Sequence, residues 1–83
     1  MTEHDLKTWP EYFQPMYEGI KRFEYRKNDR NFKEGDILHL REWKSGSQRY
    51  TGRELKARIE YILHGGVFDL PKEWCIMSIF IIG

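Results

Sequence analysis

The stretch Glu18–Asp36, EGIKRFEYRKNDRNFKEGD, decides how this chain is read. Charges crowd it, yet Phe23, Tyr25 and Phe32 are spaced through it. Between residues 21 and 33, Lys21, Arg22, Arg26, Lys27, Arg30 and Lys33 outnumber Glu24 and Asp29. Within Lys21–Lys27 the residues alternate. Phe23 and Tyr25 fall on one side, Arg22, Glu24 and Arg26 on the other, which predicts a strand with its aromatic face buried and its charged face wet. The connector that follows is rich in turn formers, and Gly35-Asp36 opens the next strand. On composition alone the charges describe a solvated strand face and an exposed loop.

Outward from this stretch the elements follow with short turns. Thr8–Gly19, TWPEYFQPMYEG, reads as a short helix. Thr8 suits its cap, Pro10 its first turn and Gly19 its stop, while Pro15 removes a backbone donor and distorts or splits it. Trp9, Phe13, Met16 and Tyr17 are expected to face the core. A further short strand is expected around His4–Lys7. Asp36–Trp43 places Leu38 and Leu40 on one face and His39, Arg41 and Trp43 on the other. Glu54–Leu63 alternates most cleanly, with Leu55, Ala57, Ile59, Tyr61 and Leu63 expected inside and Glu54, Lys56, Arg58 and Glu60 outside. Trp74–Ile82 is apolar on both faces and reads as a covered strand. The sum is an α+β domain in which about five strands curl into a small barrel with the N-terminal helix packed against it.

At 83 residues the chain is one small domain, residues 1–83, and buries only about 60% of its unfolded surface. Charged residues make up 33% of it, but the net charge is +1. A polycation that coats nucleic acid indiscriminately is thereby excluded, and any such affinity must come from a local patch. The lone cysteine, Cys75, rules out an internal disulfide and a cysteine-rich zinc site, and its apolar setting marks a small buried hydrophobe. The polar N-terminus and the absence of a long apolar run predict a cytoplasmic protein with no membrane association. His4, His39 and His64 show no metal-ligand spacing, and no cofactor or metal is expected. Gly65-Gly66 lacks the Lys-Ser/Thr and the helix start of a phosphate loop.

Gly19, Lys21, Glu24 and Arg26 form Gly-x-Lys-x-x-Glu-x-Arg, followed by Gly35-Asp36. This pattern resembles the signature of ASCH domains, relatives of the PUA superfamily. The segments HDLKTWPEYF and YTGRELKARIEYIL resemble the small bacterial and phage subgroup known as DUF3850, and the resemblance covers almost the whole chain. It implies a PUA-like barrel with a cleft at the helix-to-strand junction, in a family thought to bind RNA or modified nucleosides. The expected ligand-binding residues are His4, Lys7, Gly19, Lys21, Glu24, Arg26, Lys27, Asp29, Arg30 and Trp43. Lys21, Glu24 and Arg26 form the centre, His4 and Lys7 line the cleft, and Trp43 offers a ring for stacking or for core packing. A carboxylate beside two cations stays ionised, while Arg and Lys engage phosphate oxygens. An RNA or nucleotide partner follows, and a structural Glu–Lys–Arg network is the plainer alternative.

Two other functions are carried forward. Some ASCH proteins are amidohydrolases of acylated cytidine with a Lys-x-x-Thr pattern, which makes Lys21 and Glu24 catalytic candidates here. Glu24 stands where those enzymes carry threonine. Their additional glutamate lies in a C-terminal helical stretch without a counterpart in these residues. A protein-interaction domain that uses an exposed edge beside Asp36–Trp43 is the third reading.

Overall fold

The chain forms one continuous antiparallel-and-parallel sheet with a single short helix, seen in a computed structural model that describes residues 1–83. In chain order the elements are β1 (Glu3–Thr8), α1 (Pro10–Tyr17), β2 (Phe23–Lys27), β3 (Ile37–Lys44), β4 (Arg49–His64) and β5 (Trp74–Ile81). The strand order is β1-β3-β4-β5-β2. β1 runs parallel to β3, and the other neighbours are antiparallel. The sheet curls into a half-barrel that brings its two edge strands, β1 and β2, to opposite sides of one opening. The expected α+β barrel of five strands with an N-terminal helix is therefore present in its coarse form. No helix is long and apolar enough to cross a membrane.

The core is a single cluster. β3 contributes Leu38 and Leu40, β4 Leu55, Ala57, Ile59 and Ile62, and β5 Cys75, Met77 and Ile79. Phe13 and Met16, three residues apart on α1, join it, whereas Trp9 and Tyr17 stand exposed, against expectation. An eight-residue helix presents only one narrow stripe to a core, and Phe13 and Met16 fill it. Pro10 sits in the first turn as expected, but Trp9 occupies the cap and no side chain caps the helix. Thr8 instead ends β1, and Pro15 leaves the helix unbroken. The helix stops at Gly19, with φ +78°, where the Gly19 N–H donates to the Met16 carbonyl (3.0 Å) and the Ile20 N–H to the Pro15 carbonyl (2.9 Å). This pair of bonds is a Schellman stop, which needs the left-handed residue that glycine supplies.

Two strand faces differ from the alternation. In β4 the register shifts between Ile59 and Tyr61, so the inward side passes from Ile59 to Ile62 and Tyr61 turns out to solvent. A β-bulge inserts one residue and reverses parity beyond it, so Tyr61 and Leu63 lose the interior to Ile62. In β2, Phe23 and Tyr25 are about half exposed and Glu24 is 4% exposed, the inverse of the expected faces. The register explains this. Glu24 pairs with Met77 and Arg26 with Cys75, both on the core side of β5, and cross-strand partners share a face. β3 lies between β1 and β4, so the free edge expected beside Asp36–Trp43 is covered.

Candidate functional site

The inward face of β2 is where a charge ends up inside. Because β2 is the last strand of the sheet, its inner side looks into the opening rather than onto a sealed core. Glu24 resolves the resulting problem of a buried carboxylate with two cations. Lys21 Nζ donates to Glu24 Oε1 (3.1 Å) and Arg26 Nε to Glu24 Oε2 (2.7 Å). Lys21 reaches that position because the Schellman stop turns the chain and folds its Nζ back onto the Phe23 carbonyl (2.8 Å). Arg26 extends across the opening. Its Nη2 donates to the Lys7 carbonyl (2.7 Å) and approaches Thr8 Oγ1 (3.4 Å), so a guanidinium ties β2 to the far edge strand β1. Each of these bonds involves a charged partner, the stronger class of hydrogen bond.

A cleft of about 870 Å³ opens around this triad. It is within the range that holds small ligands. Its walls combine cations with aromatic rings. Trp9 and Tyr12, half exposed and stacked with centroids 6.2 Å apart, stand on the helix side. Phe23 and the stacked pair Tyr25–Trp74, 4.9 Å apart, stand on the β2 side. At the far end, Arg30 Nη1 donates to the Asp5 carbonyl (2.7 Å), and Phe32 plugs the seam against the His4 ring (4.7 Å, edge-on). The Phe32 N–H donates to Asn28 Oδ1 (3.0 Å), which fixes the loop that presents Arg30.

Seven of the residues expected from sequence meet in this cleft: Lys7, Lys21, Glu24, Arg26, Lys27, Asp29 and Arg30. Three do not. His4 is buried, with Nε2 against Asp36 Oδ2 at 2.9 Å, and belongs to the frame rather than to the cleft wall. Gly19 acts at one remove, through the turn that aims Lys21. Trp43 lies on the outer face of β3, where it packs on Tyr50 and beneath Lys7 Nζ, 4.1 Å from the ring. Lys7 thus gives the cleft its backbone while its ammonium leaves for the outer face.

The aromatic lining was not expected from sequence. The helical spacing predicts Trp9 in the core stripe and makes no assignment for Tyr12, and the alternation predicts Phe23 and Tyr25 on a buried strand face. A signal existed in the length of α1, too short to bury every ring in it.

Asp36 organises the other end of β1. Its carboxylate accepts the N–H groups of Thr2 (3.1 Å) and Lys33 (3.1 Å) besides His4. Burial raises its pKa, but the hydrogen bond from His4, the two backbone bonds and the His4 charge together hold it below the ordinary carboxylate value. Asp36 therefore belongs to the hydrogen-bonded frame at the start of β1 and not to the cleft wall. Burial also pushes the Cys75 thiol up, as befits an inert core residue.

The family model described as "Domain of unknown function (DUF3850)" matches residues 3–79, and the chain belongs to that family. It is also similar to a protein of Escherichia phage P2 described as an uncharacterized 12.9 kDa protein in the GpA 3' region, 48% identical over 56 residues. That match covers 68% of this chain and 50% of the phage protein, so the chain matches about half the length of this curated relative.

Proposed function

We propose that this member of the DUF3850 family is a cytoplasmic RNA- or nucleotide-binding module of PUA-like, ASCH type, with the β1–β2 cleft as its site. The observation that carries this reading is the meeting of fixed cations and exposed rings around one cavity. Lys21 and Arg26 are held by Glu24, and Trp9, Tyr12 and Phe23 stand beside them. Single-stranded nucleic acid is held by this combination, with cations for the backbone and ring faces for bases. The Gly-x-Lys-x-x-Glu-x-Arg signature supports the same reading, since its charged members supply the floor of the cleft.

A small hydrolase of modified nucleosides is the second reading, favoured by the direct Lys21–Glu24 contact at 3.1 Å. Glu24 places both carboxylate oxygens on cations, an arrangement suited to fixing those cations. Turnover of an acylated nucleoside that disappears in Glu24→Gln would establish the enzyme instead.

The test is a backbone amide NMR titration with a short mixed-sequence RNA at low salt. Shifts are expected at Thr8–Tyr12 and Lys21–Lys27, weakening as salt rises. Shifts confined to the outer face around Trp43, or none at all, would overturn the assignment.

A further inference from the structure

The cleft is crossed by its own side chains. Arg26 and Arg30 both reach from the β2 side to carbonyls of β1, those of Lys7 and Asp5. Below Arg30 the seam is filled by Phe32 against His4. A nucleic-acid strand laid along the seam would have to pass through these bridges. A single unit that enters beside Trp9 and Tyr12 would not.

The seat it would reach is charged in a particular way. Lys21 uses two of its three ammonium protons within the protein, on Phe23 and Glu24. Arg26 uses Nε and Nη2, and its Nη1 forms no hydrogen bond within the chain. Glu24 offsets one of these two positive charges, which leaves one in excess in a partly desolvated corner. Arg26 also touches Thr8, the residue before Trp9, so the seat and the stacked rings are neighbours. A phosphodiester brings one negative charge to such a seat. A phosphomonoester brings close to two at neutral pH, with three acceptor oxygens. The interaction grows with that charge, and more so away from bulk water.

We propose that the cleft receives a nucleotide unit ending in a phosphomonoester, with the phosphate on Lys21 and Arg26 and the base against Trp9 and Tyr12. This rests on the nucleotide-binding reading above and narrows it from a strand to a terminus. The unit is either a free mononucleotide or the phosphorylated end of a strand.

Calorimetric titration of the unaltered protein tests this without any variant. The probes are adenosine and uridine, their 5′- and 3′-monophosphates, and adenylate and uridylate tetramers with a 5′-phosphate, a 3′-phosphate or hydroxyls at both ends. At least one monophosphate or end-phosphorylated tetramer is expected to bind tenfold or more tightly than its hydroxyl counterpart. Equal affinity of monophosphate and tetramer identifies a free nucleotide, and a tighter phosphorylated tetramer identifies a strand end. A hydroxyl-ended tetramer that matches every phosphorylated probe overturns the terminus and leaves RNA binding standing. Failure of all probes overturns both. In Lys21→Met the preference for phosphate is expected to fall at least tenfold while a folded spectrum persists. Should that variant not fold, the probe series on the unaltered chain still decides.

Discussion

Glu24 carries the most consequence of any single residue. Its carboxylate is 5% exposed and bonded to two cations that are themselves only partly exposed. Removing it strands both cations beside a cavity. Hydrogen bonds to charged groups contribute about 1.5–3 kcal/mol each, and Lys21 and Arg26 regain some hydration. Glu24→Ala is therefore expected to cost about 2 kcal/mol in chemical denaturation, more than Lys21→Met, which leaves Glu24 paired with Arg26. If Glu24 served only as a ligand contact, its removal would leave stability unchanged.

Asp36 gives the residue-scale pH dependence. Its pKa is depressed in the folded state, so its contribution is fully present above the unfolded carboxylate range, about pH 4, and is lost as pH falls through the lowered value. Thermal melts in acid should show Asp36→Asn with a flatter loss below about pH 4 and a lower plateau above it. Unaltered acid sensitivity in that variant would place the effect elsewhere. Neither role was legible from alternation. A strand's period of two separates Glu24 from Phe23 but does not say which of them faces in, and only the pairing with Met77 decides it.

At the scale of elements, existence and order were readable, and interruptions were not. β1, β2, β3 and α1 fall where turn formers and periodic runs place them, whereas β4 begins at Arg49, five residues before the expected Glu54, and β5, expected to be covered on both faces, leaves Phe80 about half exposed. The bulge in β4 leaves no mark in Arg58–Leu63, because Tyr61, Ile62 and Leu63 are all apolar enough for either face. Alanine substitution reads the parity directly. Ile62→Ala is expected to cost about 2–3 kcal/mol, as for a buried aliphatic truncation. Tyr61→Ala should stay within about 0.5 kcal/mol. The reverse ranking would remove the bulge. Gly65 after β4 is a second silent constraint, since a Cβ there would overlap the Pro71 carbonyl. Gly65→Ala should lower stability by about 2 kcal/mol or more, measured by the same denaturation. The sequence shows that glycine as a breaker, and the close approach of Pro71 is visible only in the fold.

Over the whole molecule, the charge balance and the seam act together. The net charge of +1 gives little long-range attraction for a polyanion, so the proposed binding would depend on the few cations fixed at the opening. Those cations also close the half-barrel, since Arg26 and Arg30 supply hydrogen bonds to β1 in place of a direct ladder between the edge strands. Ligand binding at the proposed site would share side chains with closure of the seam, so a bound anion should stiffen the junction of β1 and β2. The electrostatic footprint follows from the same count. With Lys21 and Arg26 as the phosphate-facing cations of the proposed site, log K against log salt should fall with a slope of about −1.4 for single-stranded RNA. A slope steeper than about −4 would require contacts over a much wider surface than this cleft. A slope near zero would leave the phosphate outside the interaction, with stacking on Trp9 and Tyr12 as what remains.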